Sequence, residues 1–415
     1  MRLTRLSLSS FRNFARLEAE VPPGAIIVVG PNAQGKTSIL EALFFLATFT
    51  SYQSASDREL IHFAAAQGSL AVARIVGEFV REGRRHTLEV RIIREANGFN
   101  GGRTRKEVLL NGVKVRLLEA LGRFNAVLFL PQMLDIITGA PERRRRYLNL
   151  TLSQAQPGYA SLLSEYNKVL AQRNALLKQW QEHLPKSAAG ALEVWDQQLS
   201  RLGAQIIHAR IHALAELDRQ ALRFHRQWTG GQEVLRLVYR PAFEPHPPPP
   251  GQTALPLDVP VDRTRLTVED IAQGFRQALQ KARREDLARG MTTLGPHRDE
   301  WRVLANGIDL GVYGSRGQVR TAMLSLKLAE AQWITERTGE APVLLLDEVL
   351  AELDNRRRAD ILRFLQETEQ TILTTTDLRL FALPFVQQAT RWYLRQGMLE
   401  RVEPPAAGND APPTA

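Results

Sequence analysis

Apolar positions in the first 130 residues fall in short runs and alternations, the pattern of strands rather than of long helices. Ala25 to Val29 is a continuous apolar run ending at Gly30, as in a strand covered on both faces. Leu70 to Val80 and His86 to Ile93 are rich in β-forming residues, and Asn111-Gly112 between apolar flanks predicts a hairpin turn. At Lys36 the period changes. Ile39, Leu40, Leu43 and Leu46 recur at helical spacing, so a helix follows the first buried strand directly.

From Glu142 to Trp228 the pattern is helical. Tyr159, Leu162, Leu163, Tyr166, Leu170, Leu177 and Trp180 share one face, and after a break at Pro185 to Gly190 a second series runs Trp195, Leu199, Leu202, Ile206. Two long antiparallel helices are expected. Pro241 to Pro260, with four consecutive prolines at 247–250, reads as an extended loop. A third helix starts with Thr267 as N-cap and Asp270 at the capping-box position and ends near Gly290. Strand character returns after Met291, with Val343 to Leu346 a second buried run, and the tail from Pro404 has a disordered composition.

Composition narrows the picture. A chain of 415 residues, 44% of them hydrophobic, can bury one large core or two smaller ones. The 54 Lys and Arg against 44 Asp and Glu favour a polyanionic partner such as nucleic acid. The absence of cysteine excludes disulfides, thiolate metal sites and cysteine nucleophiles. The first residues lack a signal-peptide pattern and no run approaches the ~20 apolar residues of a membrane span, so a cytoplasmic location without membrane contact is expected.

Gly30-Pro31-Asn32-Ala33-Gln34-Gly35-Lys36-Thr37 fits G-x-x-x-x-G-K-[ST] between a buried strand and a helix. The glycines admit phosphate oxygens to backbone N–H groups, Lys36 supplies a point charge for the β- and γ-phosphates of ATP, and the Thr37 hydroxyl can ligate Mg²⁺. The run Val343 to Leu346 leads to Asp347-Glu348, which places Asp347 beside Thr37 and the metal, and Glu348 towards the attacking water. Lys36, Asp347 and Glu348 are therefore the candidate catalytic residues. Ser315-Arg316-Gly317-Gln318 opens another helix, whose free N–H groups suit a γ-phosphate, so Ser315, Gly317 and Gln318 join the cofactor-binding set. Order and spacing resemble the signature motif and Walker B of ABC-type ATPases, with Ala351-Glu352-Leu353-Asp354 as D-loop and Thr374-Thr375-Thr376-Asp377 as switch strand. Transporters would have His where Thr376 stands, which argues against a transporter subunit.

Ser10-Phe11-Arg12-Asn13-Phe14, Leu40-Glu41-Ala42-Leu43, Arg144 to Leu148, Ala171-Gln172-Arg173-Asn174, Leu294 to Asp299 and Ser315 to Gln318 together resemble the RecF family in the right order, over about residues 1–395. The resemblance implies an α/β fold, a P-loop ABC/SMC-type ATPase head with an inserted helical arm: head 1–140 and 291–402, arm 141–290, disordered tail 403–415. It further implies an ATP-dependent homodimer with each ATP between Gly35-Lys36-Thr37 of one copy and Ser315-Gly317 of the other. Weak DNA-stimulated hydrolysis is expected, with binding at gaps between single- and double-stranded DNA. The implied partners are RecR, RecO and the RecA recombinase, in DNA repair, replication and the SOS response to DNA damage.

The chain departs from the family at three places: Asp347-Glu348 stands for two aspartates, Gln132 for an acid, and Tyr52-Gln53 for a His/Phe-Arg pair. The rival function is the ATPase of a DNA-processing or nuclease-linked system, which needs an acidic metal cluster that Glu142, Glu165 and Asp196 do not supply. Arg143 to Arg146 reads either as a phosphate-contacting patch or as a solvated or interdomain surface.

Overall fold

A computed structural model of the chain describes residues 1–95, 103–181, 188–245 and 261–406. The four prolines at 247–250, residues 185–187 of the break at 185–190 and the tail beyond 406 lie outside the described residues. The chain divides into two compact units, Met1–Gln132 with Ile334–Ala415, and Met133–Trp333. The second unit contains the whole 141–290 segment and also 133–140 and 291–333, which the sequence places with the head. No helix among the described residues is long and apolar enough to cross a membrane.

The first unit is built on two six-stranded sheets. One is antiparallel, in the order Phe14–Glu20, Arg2–Phe11, Leu70–Arg81, Arg84–Glu95, Arg103–Leu110, Val113–Val115. Its last hairpin turns at Asn111 and Gly112, both at positive φ (52° and 81°), as the Asn-Gly pair predicts. The other runs Met398–Glu403, Thr390–Arg395, Gly24–Val29, Gln370–Thr375, Val343–Asp347, Ala126–Phe129, parallel except at the Met398–Glu403 edge. The helix Lys36–Thr48 touches strands of both sheets, which explains why it is buried almost all round. Gly77 makes room for it: a Cβ there would stand 2.9 Å from Leu46 Cδ1.

In the second unit the stretch 142–228 forms three helices rather than the two expected, Pro141–Ala155, Tyr159–Gln179 and Ala188–Thr229. The added break is at Gln156 and Pro157: Gln156 turns extended (φ −116°, ψ 106°) before the proline and ends the first helix, and Gly158, at φ 82°, is the N-cap of the next. Val268–Arg289 has the expected ends. Thr267 Oγ1 accepts from Asp270 N, the Asp270 carboxylate accepts from Thr267 N, and Gly290 closes the helix at φ 64°. Leu235–Arg240, not singled out by the sequence reading, pairs with Glu300–Ala305, which in turn pairs with Ile308–Asp309.

The buried face of Tyr159–Gln179 is Tyr159, Tyr166, Arg173 and Leu177, so an arginine occupies a core position. Arg173 is fully buried and holds Asp196 (2.9 Å), Asp286 (2.7 Å) and Thr292 Oγ1 (2.8 Å). A second buried cluster joins Arg210 to Asp299 (2.7 Å) and to the Pro296 carbonyl, with Ala242 N and the Tyr239 hydroxyl also on Asp299. These arginines tie Tyr159–Gln179, Ala188–Thr229 and Val268–Arg289 to the loop 291–299, a role invisible to hydrophobic periodicity.

Replacing Arg173 by Leu takes from the buried Asp286 its arginine and leaves Asp196 with Arg283 alone, and loss of one partner of a buried pair costs about 3–5 kcal/mol. Urea unfolding should show a loss of that size in the transition that reports the second unit.

His297 gives a pH dependence. Its Nε2 faces the Thr292 carbonyl (3.1 Å), so it carries the hydrogen, and Nδ1 is free to accept from the Tyr166 hydroxyl (2.7 Å). Burial, reinforced by Arg298, Arg145 and Arg210, pushes its pKa down to about 4 against the hydrogen bond to Thr292. A folded pKa below the unfolded value means that the contribution is complete above about pH 6.5 and is lost as pH falls towards 4. The full span is worth about 3 kcal/mol, at about 1.4 kcal/mol per pKa unit. Stability measured from pH 7.5 to 4.5 should fall more steeply in the wild type than in His297→Gln.

Candidate nucleotide site

The strand Gly24–Val29 ends at Gly30, and the chain turns through Pro31 to Gly35 into the helix Lys36–Thr48. Ala33 and Gly35 take positive φ (63° and 104°). Gly35 has to be glycine: a Cβ there would lie 2.6 Å from Asn13 Nδ2 and 2.8 Å from Phe14 Cζ. Gly30 is pressed against the neighbouring strand, where a Cβ would meet the Leu394 carbonyl at 2.6 Å. The helix start has no side-chain cap and no acid in its first turn, so its N–H groups and positive dipole end face the loop uncompensated.

Lys36 curls back over that loop. Its buried Nζ donates to the carbonyls of Gly30 (2.7 Å) and Pro31 (3.0 Å) and lies 3.1 Å from Glu348 Oε1. Asn32 and Ala33 are exposed at the loop's tip, and Gln34 is fixed by donating to Asn32 O while accepting from Gln396 N.

The strand Gln370–Thr375 lies between the loop strand and the acid strand, and register puts Val28, Thr374 and Asp347 in one row. Asp347, nearly buried, accepts from Thr37 Oγ1 (2.9 Å) and from Thr374 Oγ1 (2.6 Å). Burial raises its pKa, with the neighbouring Glu348 charge adding to that, while the two threonine bonds and Lys36 oppose it. Glu348 sits at φ 51° with its N–H on Thr374 Oγ1, which swings its half-exposed side chain towards Lys36. Asp354 caps the helix Asn355–Gln366 by accepting from Arg357 N. Thr376 is exposed.

A cavity of about 480 Å³ opens over the loop, lined by Lys36, Thr37, Asn32, Ala33 and Glu348 together with Arg12, Asn13, Glu41 and Gln53. The last four were not among the candidate site residues. Arg12 and Asn13 form the turn between the first two strands, and Arg12 binds the buried Glu41 through two bonds (2.6 and 2.8 Å) and Ser54 Oγ. Their signals in the sequence are the Ser10 to Phe14 motif for Arg12 and Asn13, Leu40 to Leu43 for Glu41, and the departure at Tyr52-Gln53 for Gln53.

Thr37, Lys36, Asp347 and Glu348 thus meet in the first unit. Ser315, Gly317 and Gln318 belong to the second. There Ser315 Oγ accepts from Gln318 N (3.2 Å) and Gln318 Oε1 accepts from Ser315 N (3.1 Å), a capping box at the start of Arg316–Thr338. Val312, Tyr313, Ser315 and Gly317 around it are exposed. Gln132 is exposed on the turn Pro131–Leu134.

The arginine run splits. Arg144 is buried on Glu300 (2.6 Å) and on the Ile137 and Gly139 carbonyls, and Arg145 holds Asp299 O and Glu142. Arg143 reaches Asp135.

An uncapped helix start, a back-turned lysine, and a hydroxyl beside a buried carboxylate fit a nucleotide triphosphate and a hard, oxygen-seeking cation. With the register of the parallel sheet they define a P-loop ATPase head of the ABC/SMC type. The family model described as RecF/RecN/SMC N terminal domain matches residues 2–397. The DNA replication and repair protein RecF of Roseiflexus castenholzii is 40% identical over 96% of this chain and 99% of its own. A solved structure of the recombination mediator protein RecF with ATP in the RecFOR pathway superposes with a TM-score of 0.79 at 30% identity, covering 97% of each chain. An SMC head bound to the C-terminal winged-helix domain of ScpA, 14% identical over 96% of each chain with a TM-score of 0.50, shares the fold. The chain belongs to the RecF/RecN/SMC family and, within it, to the RecF proteins.

Proposed function

We propose that the chain is an ATP-dependent DNA-binding protein of DNA replication and recombinational repair, which closes as a homodimer on ATP and times its release by slow, DNA-stimulated hydrolysis. The observation that carries this reading is the meeting of Thr37, Asp347 and Thr374 beneath the Lys36 loop, an arrangement suited to phosphate and Mg²⁺. Relatedness to RecF proteins along nearly the whole length supports the biological setting.

In this proposal Gly30, Pro31, Asn32, Ala33, Gln34, Gly35 and Lys36 bind the ATP phosphates, and Thr37 and Asp347 hold Mg²⁺, which neutralises charge on the phosphates. Glu348 orients and polarises water; its contact with Lys36 keeps it beside the phosphate-binding lysine. Ser315, Gly317 and Gln318 meet the γ-phosphate held by the other copy, since their loop is exposed and capped from within. The segment 141–290 serves as the arm. Gapped single- and double-stranded DNA is the proposed substrate, with RecR, RecO and RecA as partners in loading the recombinase.

Lys36→Ala should lose ATP binding by equilibrium titration while retaining its urea midpoint, and Glu348→Gln should bind ATP yet hydrolyse it on the order of 10²–10⁴ times more slowly. Wild-type turnover by the glutamine variant would assign the base to another acid.

Ser315→Arg should keep the monomer's ATP affinity and weaken ATP-dependent dimerisation more than about tenfold, equivalent to about 1.4 kcal/mol. DNA affinity at fixed salt should fall with it. Loss of ATP binding in the monomer would instead place the loop in the same chain's site.

A further inference from the structure

Behind the motif residue Gln318, the Ser315 loop is held by two side chains, Glu233 and His225, that neither the motif nor the proposed chemistry uses. Gln318 has one amide oxygen and one amide nitrogen, and both are committed. Oε1 accepts from Ser315 N at 3.1 Å, and Nε2 donates to Glu233 Oε1 at 2.9 Å. A backbone N–H only donates and a carboxylate only accepts, so this orientation of the amide is the one that satisfies both. Glu233, on the connection between the helix Ala188–Thr229 and the strand Leu235–Arg240, uses its other oxygen for His225 Nε2 at 2.9 Å.

His225 is fully buried in the last turns of the 42-residue helix. Its Nε2 carries a hydrogen, because the facing carboxylate accepts only. Its Nδ1 lies 3.2 Å from Ser325 Oγ, two turns into Arg316–Thr338. Thr321, one turn earlier, donates to the Gly317 carbonyl at 2.9 Å. A set of bonds therefore runs from the end of the arm helix, through Glu233, to the capping box, while Ser325 Oγ, beside His225, donates to the Thr321 carbonyl within Arg316–Thr338 (2.8 Å).

We propose that Glu233 and His225 are positioning residues for the Ser315 loop: they lock the Gln318 amide and thereby fix the helix start that meets the partner's ATP, so the end of the long arm helix sets the loop's geometry. The inference rests on the ATP-closed dimer proposed above. It goes further in making closure dependent on two residues that touch neither nucleotide nor partner. A helix of this length spans about 60 Å at 1.5 Å per residue, so an event along the arm that turns or shifts its end acts on the loop through two side chains.

The test uses the full chain in the variants Glu233→Ala, His225→Leu, His225→Gln, Gln318→Ala and Glu233→Ala/Gln318→Ala. Two quantities are read: amide hydrogen exchange over residues 315–319 without nucleotide, and the ATP-dependent dimerisation constant beside the monomer's ATP affinity. Glu233→Ala and His225→Leu should each speed exchange and weaken dimerisation about tenfold, with ATP affinity within about twofold of wild type. His225→Gln, which keeps a donor towards Glu233, should recover to within about threefold, and the double variant should be no worse than Gln318→Ala alone. Unchanged exchange in Glu233→Ala, additive losses in the double variant, or faster exchange with unchanged dimerisation each overturns the proposal. Should His225→Leu not fold, Glu233→Ala and the cycle decide alone. A wild-type chain that does not dimerise with ATP refutes the closed-dimer reading, and the exchange data still judge whether Glu233 and His225 hold the loop.

Discussion

The buried carboxylate of Asp347, held between the hydroxyls of Thr37 and Thr374, is the constraint around which the first unit is arranged. A carboxylate this deep in a sheet is disfavoured by desolvation, and its raised pKa records that. Two hydroxyls offset part of the penalty only if three strands end in register, and the row Val28, Thr374, Asp347 provides this. The same register brings the phosphate loop and Glu348 to one edge of the sheet. Local strain follows from it as well. Glu348 takes φ 51° so that its N–H reaches Thr374 while its side chain turns back to Lys36, an arrangement that persists only where the surroundings hold it.

Much of this was legible because each feature has a local chemical signature. Asn111-Gly112 announces its turn, Thr267 and Asp270 their capping box, and Gly30 to Thr37 a loop whose glycines answer to steric contacts at Gly30 and Gly35. The Asp347-Glu348 pair could be read because an apolar run that ends in acids implies a buried strand with a polar tip. What could not be read depends on distant partners. Arg12 looks like an exposed turn residue until Glu41, 29 positions on, is seen beneath it. Glu233 has no motif, and its meaning comes only from His225 and Gln318.

Helical periodicity failed in an instructive way between 142 and 228. It counts apolar residues, so it overlooks Arg173 at a core position and does not register that one helix ends at Gln156, before Pro157, and that Gly158 caps the next. Charge satisfaction organises this region beside its buried apolar face of Leu199, Ile206, Ile207 and Leu217. Three arginines, Arg173, Arg276 and Arg283, are matched by three carboxylates, Asp196, Asp286 and Glu193. Such clusters are poor sources of net stability, because desolvation opposes the attraction, yet breaking one is severe. They serve better as fixed joints, since a guanidinium fork accepts carboxylates only in certain directions.

That matching bears on how the excess of basic residues is to be understood. Arg144 and Arg145 stand in what looked like a single basic run, but the first is consumed by Glu300 and the second by Asp299 O and Glu142. Removing such joints from consideration removes acids and bases together, so it leaves the formal charge of +10 intact and assigns it to the remaining, more exposed residues. The density of arginines along the sequence is therefore a poor guide to where a polyanion sits, while the net charge remains a fair guide to whether one is attracted. Any surface for a polyanion has to be sought among cations left without a carboxylate, and the arginine motifs that resemble the family's are, in the cases of Arg144 and Arg173, the wrong place to look, as is the buried Arg210.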